Sequence, residues 1–283
     1  MKETLKKLRE TLVPIYGKRE TEAIIRLIFH HLKGWNLTDM LIHQEDELSD
    51  FIREEINKIL ERLKEQEPIQ YILGEARFHG MDLKIRPGVL IPRPETDDLV
   101  DLIIDENNGR DDLRILDVCT GSGCIACSIA YEHPQVSVVA TDISPVAVSL
   151  AQENVAALGL SERVAVLCCD LAEKIPERLM GTFDLVVSNP PYIPTAVLAT
   201  LDAQVRDFEP TLALDGGEDG NDFVRRILPW ALVALKPGGA FALELHETCL
   251  EAAQTYAQEL GFVEVRITKD LTGADRILSG RKM

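Results

Sequence analysis

Asn189-Pro190-Pro191-Tyr192 concentrates the chemistry of this chain. The four residues follow Phe183-Asp184-Leu185-Val186-Val187-Ser188, a short apolar run that reads as a buried parallel strand. Neither proline can donate to a sheet ladder, so the strand stops at Asn189, and the position before a proline is held extended. The product is a rigid tip at a strand's C-terminal end, the edge where open α/β sheets bind ligands. A planar, weakly nucleophilic nitrogen suits such a tip. The Asn189 side-chain oxygen and a nearby carbonyl, that of Pro190, would accept its two N–H bonds, and Tyr192 would pack on its face. The competing reading is an ordinary proline-rich turn.

A second motif weighs against that plain turn. Arg114-Ile115-Leu116-Asp117-Val118 is a strand-like run, followed by Cys119-Thr120-Gly121-Ser122-Gly123 and then a helical pattern from Cys124 to Ala130. Strand, glycine loop and helix N-terminus form the layout that receives a nucleotide-like cofactor, because glycine lets the backbone approach the ligand. The next strand, Val136 to Asp142, ends in a carboxylate 19 residues after Gly123, a spacing that suits a ribose-binding acid. The loop carries no G-x-G-x-x-G, so it is not a dinucleotide fingerprint. Asp142 could equally be a cap before Ser144-Pro145.

With these motifs in place the chain resembles the class I S-adenosyl-L-methionine-dependent methyltransferases, and within them the release factor glutamine methyltransferases of the HemK/PrmC family. The resemblance is carried by Pro68 to Gly74, Ile91-Pro92-Arg93-Pro94-Glu95-Thr96, the glycine loop, Asn189 to Tyr192, Val205 to Pro210, Lys269 to Gly273 and Asp275-Arg276. It implies methyl transfer from S-adenosyl-L-methionine to the side-chain amide nitrogen (N5) of the Gly-Gly-Gln glutamine in peptide chain release factors. It also implies residue roles. Asn189, Pro190, Pro191 and Tyr192 would grip the substrate amide; Asp117, Cys119, Thr120, Gly121, Ser122, Gly123, Asp142, Asp170, Leu171 and Asn189 would line the cofactor site. Asp117 would order the loop or meet the methionine amino group. Two departures stand out. Cys119 takes a position usually held by glycine, and Leu171 after Asp170 offers apolar contact where an aromatic is common.

Asn-Pro-Pro-Tyr alone also suits an adenine-N6 nucleic-acid methyltransferase. That activity calls for a basic recognition region, because nucleic-acid binding relies on Lys and Arg neutralising phosphates. The net charge is −17, from 30 Lys/Arg and 47 Asp/Glu. Residues 1–70 contribute 12 basic and 14 acidic side chains, and the remainder 18 and 33. A basic protein partner fits this surface better than DNA or RNA. A silent cofactor-binding module would require a broken site, and Cys119 is the one blemish.

The elements that must hold these residues follow from periodicity. Leu5, Leu8 and Leu12 share a helix face; Ile24 to Ile28, Leu37 to Ile42 and Ser49 to Glu65 continue a small helical domain, expected over 1–66 as the docking site for the protein substrate. Residues 67–92 read as a linker hairpin turning at Phe78-His79-Gly80-Met81. From 93 to 283 strands and helices alternate, predicting a doubly wound, mostly parallel seven-stranded sheet whose last strand, 276–280, returns antiparallel for want of a crossover helix. Residues 214–220 read as a mobile edge of the cleft. Cys124-x-x-Cys127 lacks a second pair of ligands, so its cysteines read as small buried hydrophobes and no metal is expected. No apolar run approaches a membrane span and no signal-peptide core precedes the first helix, so the cytoplasm is the expected location.

Overall fold

A computed structural model describes residues 1–110 and 112–283, which fall into two compact units. The first comprises Met1–Gly74 with Asp202–Phe208; the second comprises Glu75–Leu201 with Glu209–Met283.

The first unit is helical: α1 (Lys2–Lys33), α2 (Leu37–Ile42), α3 (Asp50–Lys64), α4 (Ile69–Leu73) and, much later in the chain, α8 (Ala203–Phe208). Leu8, Leu12, Ile25, Ile28 and Phe29 of α1 pack on Ile56, Leu60 and Leu63 of α3, as the helical spacing requires. α1 is broken at Gly17, whose φ of 74° and ψ of 166° no helix accommodates, so the two expected helical runs are separated by a kink. Asn36 closes a capping box with Asp39 at the start of α2, and Ser49 caps α3. Residues 69–73, read from the sequence as the first arm of a hairpin, form α4. Pro68 presets its entry, and the Pro68 carbonyl accepts from the amides of Tyr71 and Ile72. Five residues are too few for periodicity to separate a helix turn from a strand.

The second unit begins with the hairpin β1 (Glu75–Phe78) and β2 (Met81–Lys84), turning at His79-Gly80. Phe78, Met81 and Leu83 join the same apolar core as α5 (Pro94–Glu106) and α6 (Cys124–Glu132). The main sheet contains β3 (Arg114–Val118), β4 (Ser137–Asp142), β5 (Val164–Cys168), β6 (Phe183–Ser188), β7 (Leu235–Glu244), β8 (Val263–Lys269) and β9 (Asp275–Arg281), in the order β5-β4-β3-β6-β7-β9-β8. The first five are mutually parallel; β9 lies between β7 and β8 and is antiparallel to both. The sheet is therefore mostly parallel and seven-stranded, with the antiparallel return that the short final connection demands. β7 starts at Leu235 rather than near 240, because Leu235 pairs with Phe183 across an irregular register.

Alternate residues of each strand feed two cores. Ile115, Leu185 and Val187 face α5 and α6 with α7 (Pro145–Ala157); Leu116, Val186, Phe241 and Leu243 face α9 (Asp222–Ala234) and α10 (Leu250–Glu259). Cys124 and Cys127 are buried in the first of these cores. The chain leaves β3 towards β4 on one side, while β6 lies on the other. This switch point opens a crevice at the strands' C-terminal ends. Among the described residues no helix is long and apolar enough to cross a membrane.

Phe241 is fully buried and meets Phe262 edge-on at 4.7 Å between ring centres. Phe241→Ala should destabilise the protein by about 3–5 kcal/mol, the usual cost of deleting a buried ring, read as a lower urea midpoint.

Candidate active site

The crevice at the switch point is a single cleft of the second unit. The glycine loop supplies Cys119, Thr120, Gly121 and Ser122; the end of β4 supplies Asp142; the turn after β5 supplies Asp170 and Leu171; the tip of β6 supplies Asn189 and Pro191. Asp117, Gly123, Pro190 and Tyr192 do not line it. The segment before α5 closes another side with Pro92 and Arg93, and the first turn of α5 adds Thr96.

Asp117, at the buried heart of β3, accepts a hydrogen bond from the Thr120 hydroxyl at 2.6 Å, and so orders the loop. Burial pushes its pKa up to about 7, against the opposing pull of Thr120. Its Oδ1 is buried without a hydrogen-bond partner. Asp142 ties the loop from the other side. Its Oδ2 accepts the Gly121 amide and its Oδ1 the Ser144 amide, each at 2.9 Å. Burial raises the Asp142 pKa, and these backbone donors restrain the rise. Each of its oxygens retains acceptor capacity beyond these bonds, since an ionised carboxylate offers about four lone-pair sites. Asp142 is thus loop anchor and half-buried acceptor at once.

Cys119 adopts φ 60°, the left-handed conformation that glycine occupies without penalty. Burial, with the Asp142 and Asp117 carboxylates nearby, raises its thiol pKa above the ordinary range and so disfavours the nucleophilic thiolate.

The tip of β6 is braced by its neighbours. Asn189 Nδ2 donates to the buried Thr96 hydroxyl at 3.0 Å, which leaves the amide oxygen as the free end. The Tyr192 hydroxyl is turned to Glu244 Oε1, 3.4 Å away, at the end of β7. Residues 214–220, expected to be a mobile edge, are instead pinned to the tip. The Ile193 amide donates to Leu214, Gly216 donates back to Ile193, and Thr195 donates to Gly217. A Cβ on Gly216 would lie 2.6 Å from Tyr192 Cα, so only glycine allows this approach.

Three features of the site do not follow from the sequence alone. Thr96, at the end of the Ile91 to Thr96 stretch, is the partner of Asn189. Glu209 is buried and accepts the Arg93 guanidinium at 2.5 Å and the Ile91 amide at 3.1 Å, which locks the segment before α5 into the cleft wall. On α9, Arg226 donates to Asp170 at 2.6 Å and lies over the Phe223 ring at 5.7 Å. Both line the cleft beside Leu171, so an aromatic does reach this corner from a different element. The available signal was Phe223 and Arg226 at i and i+3, on one face of a helix whose Val224, Ile227 and Leu228 are buried.

Replacing Cys119 with glycine removes a left-handed strain of about 1–2 kcal/mol and loses part of a half-buried thiol's packing. Cys119→Gly should therefore leave the unfolding free energy unchanged or raise it by up to about 1 kcal/mol in urea titration. A clear loss of stability would show that the thiol's packing outweighs the strain.

Family models match both units. One described as the PrmC N-terminal domain covers residues 3–74, and one described as the methyltransferase small domain covers residues 82–206. A methyltransferase of Pyrococcus furiosus has a similar fold, with a TM-score of 0.53 and 23% identity over 72% of this chain and 89% of that one. The N-terminal domain of human METTL16, solved with SAH, has a TM-score of 0.52 and 19% identity over 71% and 76%. Sequence relatives reach further. The release factor glutamine methyltransferase of Bacteroides thetaiotaomicron is 38% identical over 97% of this chain and 98% of its own length. That of Caulobacter vibrioides is 38% identical over 91% and 88%. A match of this extent across nearly the whole of both chains means that the protein belongs to the release factor glutamine methyltransferase family.

Proposed function

We propose that this enzyme transfers a methyl group from S-adenosyl-L-methionine to the side-chain amide nitrogen of the glutamine in the Gly-Gly-Gln motif of peptide chain release factors, in the cytoplasm. The observation that carries the reading is the Asn189–Thr96 hydrogen bond at the wall of a cleft floored by a glycine loop, which commits the amide nitrogen and leaves the amide oxygen free to accept. That oxygen is complementary to an N–H donor, which a carboxamide nitrogen has and an ether or carboxylate lacks.

The cofactor fits the donor and acceptor set of the cleft. Asp142 has acceptor capacity for the ribose hydroxyls, and the orphaned Oδ1 of Asp117 is the acceptor available to the methionine ammonium. Asp170, Leu171, Phe223 and Arg226 border the corner assigned to the adenine, and Cys119 to Ser122 run beneath the body of the cofactor. Bound there, it supplies an electrophilic sulfonium methyl.

The chain's own residues handle the other reactant. An amide nitrogen is a poor nucleophile because its lone pair is delocalised. Asn189 Oδ1 and the Pro190 carbonyl, accepting its two N–H bonds, would fix the amide plane and favour positive charge developing on nitrogen. Pro191 lines the cleft and helps exclude water. Tyr192, its hydroxyl committed to Glu244, supports the tip from behind.

The helical domain of residues 1–66 would dock the protein substrate. Leu41 and Ile42 on α2 and Phe51 on α3 are each more than 60% exposed, an apolar surface suited to a protein rather than to a nucleic acid. The net charge of −17 disfavours DNA or RNA as a direct partner.

Asn189→Ala keeps both prolines, so the protein should fold while turnover on a release factor falls about 10²–10³-fold, the usual cost of one preorganised contact. Tyr192→Phe should lose much less. Mass spectrometry of the Gly-Gly-Gln peptide after incubation with labelled cofactor reads both; wild-type methylation by Asn189→Ala would refute the mechanism. For docking, Leu41→Glu combined with Phe51→Glu should raise KM for the intact release factor and spare methylation of a short Gly-Gly-Gln peptide. Equal effects on both substrates would remove the docking role.

A further inference from the structure

Two stretches singled out in the sequence, Lys269 to Gly273 and Asp275-Arg276, have no part in the reading above. They form the turn between β8 and β9. Asp270, buried at its base, accepts the amides of Thr272 and Ala274 and the Thr272 hydroxyl on Oδ1, and Arg276 Nε on Oδ2 at 3.3 Å. The Asp270 amide donates to the Ala274 carbonyl at 2.9 Å, and Lys269 Nζ donates to Gly273 at 3.1 Å. At the crown of this braced turn stands Leu271. It is 91% exposed, the most exposed large apolar side chain among the described residues. A single exposed leucine is ordinary on a protein surface, but one fixed in place beside a reaction cleft needs a reason.

The sheet sets that place. β9 is antiparallel to both β7 and β8, so β8 runs with β6 and its turn emerges at the same edge as the Asn189 tip. Ser188, Leu243, Leu278 and Ile267 form one row across the strands, and β6 ends there. The β8–β9 ladder continues past that row to Lys269 and Asp275, so the turn stands above the floor on which Asn189 sits. Sideways, β6 and β8 are three strand spacings apart, about 14 Å. The first turn of α5 joins the two. The Leu271 amide donates to Asp98 Oδ2 at 3.0 Å, and two residues earlier the Thr96 hydroxyl accepts from Asn189 at 3.0 Å.

We propose that Leu271 is a docking contact for the protein substrate, packing on an apolar side chain of the release factor about four residues from the reactive glutamine, the number of extended residues that spans the gap to Asn189. The inference rests on the substrate assigned under the proposed function. A peptide is the occupant, not a bilayer, because Glu95 and Asp98 set negative charge beside the leucine and anionic lipid would be repelled. A turn already held in one shape loses little entropy when covered, so the burial of its leucine goes into affinity.

The test is steady-state kinetics at saturating S-adenosyl-L-methionine on three substrates: an intact release factor, a Gly-Gly-Gln peptide with about six residues on each side of the glutamine, and one with about two, too short to reach Leu271. Leu271→Asp should raise KM for the first two by about 10- to 100-fold, the scale of one leucine's burial. Its kcat should stay within about twofold of the wild type, as expected when only binding is lost. The short peptide should not distinguish the two enzymes, and Leu271→Met should restore the wild-type KM. Asp98→Ala, which keeps the leucine and frees its amide, should raise the same KM by a smaller factor. Val233→Asp, at the far end of α9 and also exposed, should change none of these constants. An unchanged KM of Leu271→Asp for either the intact release factor or the long peptide would overturn the proposal. So would an equal rise for the short peptide, which would make the turn a support of the cleft itself. A lower sedimentation coefficient for Leu271→Asp would assign the leucine to a contact between copies of this chain and overturn it too. If the wild type methylates none of the three substrates, the reading beneath falls; if it methylates them and Leu271→Asp matches it throughout, only this inference falls.

Discussion

The second unit is organised around the place where β6 stops. Pro190 and Pro191 deny the sheet two consecutive donors, so the ladder that joins β6 to β3 and β7 closes at Ser188 and the backbone must turn out of the sheet. The freed edge of the turning segment does not go unpaired. Ile193 exchanges hydrogen bonds with Leu214 and Gly216, and Thr195 donates one to Gly217, so a loop from further downstream is drafted in as a short substitute strand. Asn189 is fixed before this turn and Tyr192 within it. The rest of the cleft is arranged about that fixed point, with the glycine loop across the switch and α5 against its side.

The glycine loop faces the opposite demand, since it must be open enough for a ligand yet hold one shape without it. Two carboxylates supply the shape. Asp117 fastens Thr120 from below and Asp142 fastens Gly121 from the side. Both use oxygen atoms where a fully apolar loop bed would leave amide and hydroxyl donors unsatisfied. The price is desolvation, visible as the raised pKa of each. A cleft that holds its donors and acceptors in place before the ligand arrives spends that energy once, during folding.

Local chemistry was legible in the sequence and tertiary partnership was not. The proline-locked tip, the strand–loop–helix at Cys119 to Gly123 and the spaced Asp142 all follow from covalent constraints within about 25 residues. The antiparallel last strand follows from a connection too short for a crossover. Thr96 lies 93 positions from Asn189, and Arg93 lies 116 from Glu209; no periodicity couples residues so far apart. The same holds for Phe223 and Arg226, which reach the cleft only because the sheet order sets α9 against the turn after β5. The 214–220 loop misled for the reverse reason. Its glycines suggest freedom, but Gly216 and Gly220 are there because the Tyr192 backbone passes too close for a Cβ.

The acidic composition also acquires a second meaning. Asp117, Asp184, Glu209, Glu244 and Asp270 are all buried, and each serves as an acceptor for backbone amides, hydroxyls or guanidinium groups. Part of the −17 is therefore internal scaffolding and does not project to a partner. Two of these carboxyls, Asp117 and Glu244, have folded-state pKa values pushed up to about 7 by burial. The sign of the linkage follows. Each contributes stability in full below its ordinary range near 4–4.5, and that contribution is lost as pH rises through about 7. Near neutral pH the folded protein is thus giving up stability to ionise two carboxyls directly beneath its proposed cofactor loop and behind its proposed substrate clamp. Stability and a poised site pull in opposite directions here, as they do wherever a protein buries charge for function.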